Sequence, residues 1–286
     1  EDSYDEANFA KKIAEKLGTN HTEVYLDSKE AQNVIPLIPK FYDGPFGDSS
    51  QIPTYLVSKI ARKSVKVALS GDGGDELFLG YNRYIMANQF KWIFSLPIPI
   101  KKTLIYLIKF LTPNQWNKLN SLISNKILPP QIGDKLYKLS KIMTGDKNDF
   151  YRHLISSWDN PNNVVLDGNE EKGLIWNNDF DSYIDNFSEK LKLIDSLTYL
   201  PDDILTKVDR ASMAVSLEVR TPILDHRIIE FSWNLNKNLM LKGNKGKWIL
   251  RQVLKNYLPE SYYERPKMGF GVPINNWLRK DLKQWA

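Results

Sequence analysis

An apolar, β-branched run, Val65 to Leu69, ends at Ser70-Gly71-Asp72-Gly73-Gly74-Asp75-Glu76. This junction constrains the fold more than any other part of the chain. The run reads as a buried strand, and Leu77 to Tyr84 reads as the start of a helix or a turn into one. Three glycines permit positive φ, tight turning and close approach of backbone N–H groups to an anion. Three carboxylates in the same turn repel one another, and any phosphate, unless a divalent cation lies between them. Hard oxygen ligands suit Mg²⁺, which takes one or two carboxylates together with substrate phosphates. The junction therefore has the parts of a nucleotide–Mg²⁺ site at the carboxyl end of a strand, where open α/β sheets place ligands. Composition by itself also admits a solvated Gly/Asp turn. No Gly-Lys-Ser/Thr follows, which excludes a Walker loop, and the acidic spacing is not that of an EF-hand.

Upstream, Ala10, Ile13, Ala14 and Leu17 form a helical stripe that Gly18 ends. Thr22 to Leu26 reads as a short strand, and Ser28 towards Phe41 as a helix, although that run contains Pro36 and Pro39. A helix over Ile52 to Lys63 leads into the strand at Val65. This order implies a parallel sheet covered by helices. From Asn88 to about Asp195 the signals are mostly helical, at Lys101–Leu111, Asn114–Ile127, Lys135–Met143 and Phe150–Trp158. Further on, Ser188–Leu200 and Ile204–Ala214 read as helices, Glu218-Val219-Arg220 as strand, and Asp225 as the cap of a helix over His226–Leu235. The division expected is 1–87 as an α/β nucleotide-binding part, 88–185 as a helical insertion, and 186–286 as a helical C-terminal part with active-site loops.

Composition narrows the functional classes. Of 286 residues 42% are apolar and 26% charged, as in a globular protein with a substantial core. The net charge of +5, with no clustered basic face in the sequence, argues against nucleic acid. There is no cysteine, hence no disulfide, cysteine zinc site or cysteine nucleophile in this chain. No apolar run approaches the roughly 20 residues of a membrane span. His21, His153 and His226 are too scattered to suggest a metal site or a triad.

Four stretches, in order, resemble the asparagine synthetase family, whose members carry a glutaminase and an ATP-pyrophosphatase-type synthetase domain. They are Asp48-Ser49-Ser50-Gln51-Ile52-Pro53-Thr54, the Ser70–Glu76 junction with Gly80-Tyr81, Lys207-Val208-Asp209-Arg210-Ala211-Ser212-Met213-Ala214 running into Leu217 to Asp225, and Arg265-Pro266-Lys267-Met268-Gly269-Phe270. The resemblance implies an ATP-pyrophosphatase-like α/β fold (adenine nucleotide alpha hydrolase-like) with a large helical part. It also implies a cytoplasmic ligase that uses ATP and Mg²⁺ to activate the aspartate side chain and converts it to asparagine with ammonia from glutamine. A homodimer is compatible with it. By this match Ser70, Gly71, Gly73 and Arg265 border the nucleotide, Asp75 is the Mg²⁺ ligand, and Lys267, Asp72 and Asp203 act in the chemistry. Asp72 stands where many members have Glu. The register near Lys207 slips by a residue, so Asp202 rivals Asp203, and the alternative for either is a plain helix cap.

The chain begins Glu1-Asp2-Ser3, and the family's glutaminase half and Ser-Gly-Gly-x-Asp-Ser pyrophosphate loop precede the matched region. The expectation is a synthetase fragment that is inactive without them. Two other readings share the scaffold: a related amide synthetase of the β-lactam or peptide-cyclising type, which uses an internal amine, and a nucleotide-binding module without turnover.

Overall fold

The computed structural model of the chain describes residues 7–25, 28–122, 132–156, 158, 161–168, 173–174, 178–184, 186–264, 272, 274–280 and 282–284. It comprises two compact units, one of Glu1–Gly80 with Asp195–Ala286 and one of Tyr81–Ile194.

The first unit opens with α1 (Ala7–Leu17), ended by Gly18 at φ 66°. Residues 22–25, expected as strand, are irregular, and Leu26 lies outside the described residues. Pro36 and Pro39 cut the next expected helix into α2 (Ser28–Gln32), a 3-10 turn at Ile35–Leu37 and α3 (Pro39–Tyr42), because each proline removes a backbone donor and favours a new helix start. Then come α4 (Gln51–Ala61), β1 (Val67–Leu69) and α5 (Gly74–Leu77).

The second unit is helical in its described residues: α6 (Asn82–Phe94), α7 (Ile98–Lys109), α8 (Pro113–Leu122), α9 (Ile132–Thr144) and α10 (Lys147–Ile155). Ile93, Ile108 and Met143 form its apolar centre, and Phe94 meets Phe150 and Phe187 edge-on, each at 5.6 Å. Asp146 and Asp149 close a capping box at the start of α10. The chain leaves this unit through α11 (Phe187–Leu197).

Back in the first unit, a π-helical turn at Leu200–Leu205 runs without a break into α12 (Thr206–Met213), and β2 (Glu218–Arg220) follows. The strands pair in parallel, Val67 with Glu218, Ala68 with Val219 and Leu69 with Arg220. The Ser70 N–H extends the ladder to the Arg220 carbonyl at 2.8 Å. The strand at Val65 is therefore present but shorter than expected. Nor is it buried, since Val67 is 41% and Leu69 73% exposed. Among the described residues β1 pairs only with β2. Then follow α13 (His226–Asn234), capped by Asp225 as expected, α14 (Lys237–Met240), α15 (Trp248–Leu254) and α16 (Ile274–Arg279). Ala31, Val34, Ile52, Leu56 and Trp277 form an apolar cluster of this unit, and α4 packs along α12. The result is a helix-rich α/β chain with a small parallel sheet. No described helix is long and apolar enough to cross a membrane.

Candidate active site

Short connections, residues 62–66 after α4 and 214–217 after α12, turn the chain back into β1 and β2. A helix folded back on the strand that follows it starts at that strand's carboxyl end. The beginnings of α4 and α12 and the turn after β1 thus belong to the carboxyl edge of the sheet, where α/β folds bind ligands.

At that edge Ser70 follows β1, and its hydroxyl donates to the Asp72 carboxylate while the Asp72 N–H reaches back to Ser70 Oγ at 3.3 Å. Gly71 is exposed, and a Cβ there would meet nothing within 4 Å. Gly73 has φ 87° and forms the N-cap of α5. A side chain there would be strained, and its Cβ would lie 2.2 Å from Leu224 Cδ2. Of the three carboxylates expected to repel one another, Asp72 is held by Ser70, Asp75 is held by a lysine, and Glu76 is buried at 1% exposure.

That lysine is Lys247, whose ammonium is 3.0 Å from Asp75 Oδ2. The Lys247 N–H donates to the Phe78 carbonyl at 2.9 Å, and Gly80 N–H to the Asp75 carbonyl at 2.8 Å. Gly80 leaves the room for this pair: a Cβ there would lie 2.0 Å from Asp75 Oδ1 and 2.4 Å from Lys247 Cε.

A second cluster stands at the starts of α4 and α12. Lys207 Nζ donates to Asp48 Oδ2 at 2.7 Å, and Ser50 gives Asp48 Oδ1 both its N–H and its hydroxyl at 2.8 Å. Burial alone would raise the Asp48 pKa. The Lys207 hydrogen bond, the two Ser50 donors and the Lys207 charge together hold it below the ordinary carboxylate value. Tyr42 donates to the Lys207 carbonyl at 2.9 Å. Burial first, then the charges of Asp48 and Asp203, push the Tyr42 phenol above its usual range. Asp203 therefore faces this cluster from the π-helical turn, half-buried, whereas Asp202 is exposed. Neither caps a helix, because the π turn passes straight into α12 and leaves no helix start between them.

Asp75, the Mg²⁺ ligand expected from the sequence, is a single carboxylate paired with Lys247, and Mg²⁺ sites of one or two carboxylates draw their other ligands from phosphate oxygens and water. Among the described residues no group of three or more His, Cys, Asp or Glu side chains could hold a metal ion. A cation arriving at Asp75 would have to share it with Lys247. Arg265 and Lys267 lie outside the described residues. Arg220 and Glu218 pair at 2.8 Å with both side chains more than half exposed.

Sequence reasoning singled out Asp75, Asp72 and Asp203, with Lys267 and Arg265 as the cations, and did not foresee that Asp75 pairs with Lys247 or Asp48 with Lys207. Lys247 read only as the first residue of an amphipathic helix over Lys247 to Tyr257. Asp48 and Lys207 each lay in a matched stretch, without a signal that they pair.

The family model described as asparagine synthase matches residues 1–286. The chain is 32% identical over 284 residues to asparagine synthetase [glutamine-hydrolyzing] 1 of Bacillus subtilis, covering 99% of this chain and 43% of that protein. It is 29% identical over 287 residues to a putative asparagine synthetase of Mycobacterium tuberculosis, covering 100% of this chain and 42% of that one. A putative asparagine synthetase of Methanocaldococcus jannaschii is 30% identical over 228 residues, covering 74% of this chain and 38% of that protein. The chain thus spans less than half the length of these curated relatives.

Proposed function

The chain belongs to the asparagine synthase family, and on that premise we propose that it is the synthetase part of an ATP-dependent amide ligase that makes asparagine from aspartate. The whole-chain family match carries this reading. The aspartate side-chain carboxylate attacks the α-phosphorus of ATP, and the bond to pyrophosphate breaks. Ammonia released from glutamine then attacks the activated carbonyl, and AMP leaves with the electron pair of the acyl–oxygen bond. Mg²⁺ held by Asp75 would supply charge neutralisation at the phosphates.

The chain's own residues supply the rest. The Ser70–Gly71–Gly73 turn offers a tight backbone edge to the nucleotide, and Ser70 keeps the Asp72 carboxylate folded against it. Asp203, half-buried beside the Tyr42–Lys207–Asp48 cluster, is favoured over exposed Asp202 as the acid acting near the acceptor. Lys207 and Asp48 tie the start of α12, just after the π turn that carries Asp203, to the loop before α4. Lys267 and Arg265 are assigned by the motif as cations that stabilise charge on the departing pyrophosphate.

The test is pyrophosphate release and asparagine formation by the complete protein given ATP, Mg²⁺, aspartate and either glutamine or ammonium. The reading expects both products in equal amounts, with no pyrophosphate when aspartate is left out. Pyrophosphate release that ignores aspartate and follows another carboxylate would overturn the choice of acceptor.

A further inference from the structure

Residues 81–133, all in the second unit, contain seven Lys and Arg and no Asp or Glu. Without this stretch the net charge of the chain would be −2 instead of +5. The cations are spread along it, so the missing acids, more than any basic cluster, set it apart. At its middle lies α7, which is apolar on two sides. Leu104, Ile105 and Ile108 belong to the apolar centre of the unit. On the other side Ile100, Leu107 and Phe110 follow one another at helical spacing, with Tyr106 beside them. Leu107 is more than half exposed, Tyr106 69% and Phe110 73%. A surface helix ordinarily turns polar residues outward. Here Lys102 and Lys109, two turns apart and both exposed, only edge an apolar strip. Lys101 and Lys102 also line a cavity of about 660 Å³ together with Lys147 and the apolar Phe94, Ile105 and Met143. The one acid lining it, Asp146, already accepts the backbone N–H groups of Asn148 and Asp149.

We propose that the outward face of α7 docks on an anionic lipid bilayer, with the helix lying among the headgroups. Its 12 residues reach about 18 Å, short of the roughly 30 Å hydrocarbon core, so it rests on the membrane and does not cross it. The apolar strip enters the acyl boundary while the lysines at its edge and around the cavity meet lipid phosphates. A second copy fits this face less well. Twofold pairing would set Lys102 and Lys109 against the same lysines, and α6, α7 and α8 carry no carboxylate to receive them. Nucleic acid would leave the apolar strip uncovered. The proposal does not depend on the ligase chemistry.

The experiment is co-sedimentation of the complete protein with vesicles of phosphatidylcholine alone or in equal mixture with phosphatidylglycerol. The protein should pellet with the anionic vesicles and stay in solution with the neutral ones. Binding should be lost as salt rises from about 0.1 M to about 1 M, which shortens the screening length from about 10 Å to about 3 Å. Lys102→Ala with Lys109→Ala should weaken binding about 25-fold, at about fivefold for each lysine near a charged surface. Leu107→Ser with Phe110→Ser should weaken it about tenfold or more. Both pairs lie on the exposed side, so melting temperatures should not change. Tyr257→Ser, which removes an exposed apolar side chain of the first unit, should bind as wild type does. No pelleting with anionic vesicles, equal pelleting with neutral ones, or α7 variants that bind like wild type would overturn the proposal. So would a change of mass in sedimentation velocity on Leu107→Ser with Phe110→Ser, which would make the face a contact between copies.

Discussion

Lys207 Nζ meets Asp48 Oδ2 at 2.7 Å across 159 residues of sequence, with 11% and 22% of the two side chains exposed. This bond ties the start of α12 to the loop that opens α4. Asp48→Asn leaves the Lys207 ammonium mostly buried without its carboxylate, at a cost of about 3 kcal/mol. The pH dependence follows from the depressed pKa of Asp48 in the folded state. Its contribution is complete above the unfolded value of 3.8 and is lost as pH falls through the lower folded value. Urea melts of wild type and Asp48→Asn should differ most near neutrality and converge in strong acid. A gap that widens on acidification would contradict the assignment.

Gly73 and Gly71 make a matched pair of tests. Gly73→Ala must hold φ 87° and displace Leu224 from 2.2 Å, which should cost about 1–3 kcal/mol or more. Gly71→Ala meets no atom within 4 Å and should stay within about 0.5 kcal/mol of wild type. Thermal melts check both. Because Gly71→Ala leaves the fold alone, any loss of ATP binding it causes reports on the ligand's approach to the turn.

Lys192 is fully buried, at 0% exposure, and burial lowers its pKa to about 8 against a smaller opposing effect of Glu189. Below pH 8 both folded and unfolded states carry the proton, and the burial penalty is fully present. Between about 8 and the unfolded value of 10.5 the unfolded chain binds more protons, so stability should rise with pH over that window. Chemical denaturation of wild type and Lys192→Met between pH 7 and pH 10 checks this. The rise attributable to Lys192 should be missing from the variant, and identical slopes would show that the burial does not shift the group.

Asp203 and Asp202 should separate cleanly. In the complete protein Asp203→Asn should lower the rate of aspartate-dependent pyrophosphate release with the melting temperature little changed. Asp202→Asn, on the exposed side of the π turn, should leave both within experimental scatter. The reverse pattern would move the acid to Asp202.

Lys267→Ala tests the C-terminal motif. Losing a fixed cation that stabilises departing pyrophosphate should lower the rate on the order of 10²–10³-fold at saturating ATP and aspartate, by analogy with loss of an oxyanion-hole donor. A solvated loop lysine would leave it nearly unchanged. Pyrophosphate release decides between them.

What the sequence determined by itself was local. β-branched residues before a glycine-rich acidic turn are enough to place β1, the turn and the helix start after it, because neighbouring φ, ψ preferences and turn chemistry act over a few residues. The Asp225 cap and the helices between residues 98 and 155 are legible for the same reason. So was the family, since its motifs are short and lie in order. The tertiary structure decided which charges meet. Asp48 finds Lys207, out of 39 lysines and arginines, because the α4–α12 packing brings their segments together, and Asp75 finds Lys247 where the Lys247 N–H bonds the Phe78 carbonyl. Ion pairs carry no periodicity along a chain, so their partners cannot be read from spacing. The exposure of Val67 and Leu69 was decided in the same way: an apolar strand is buried only where another layer covers it, and that depends on the rest of the fold.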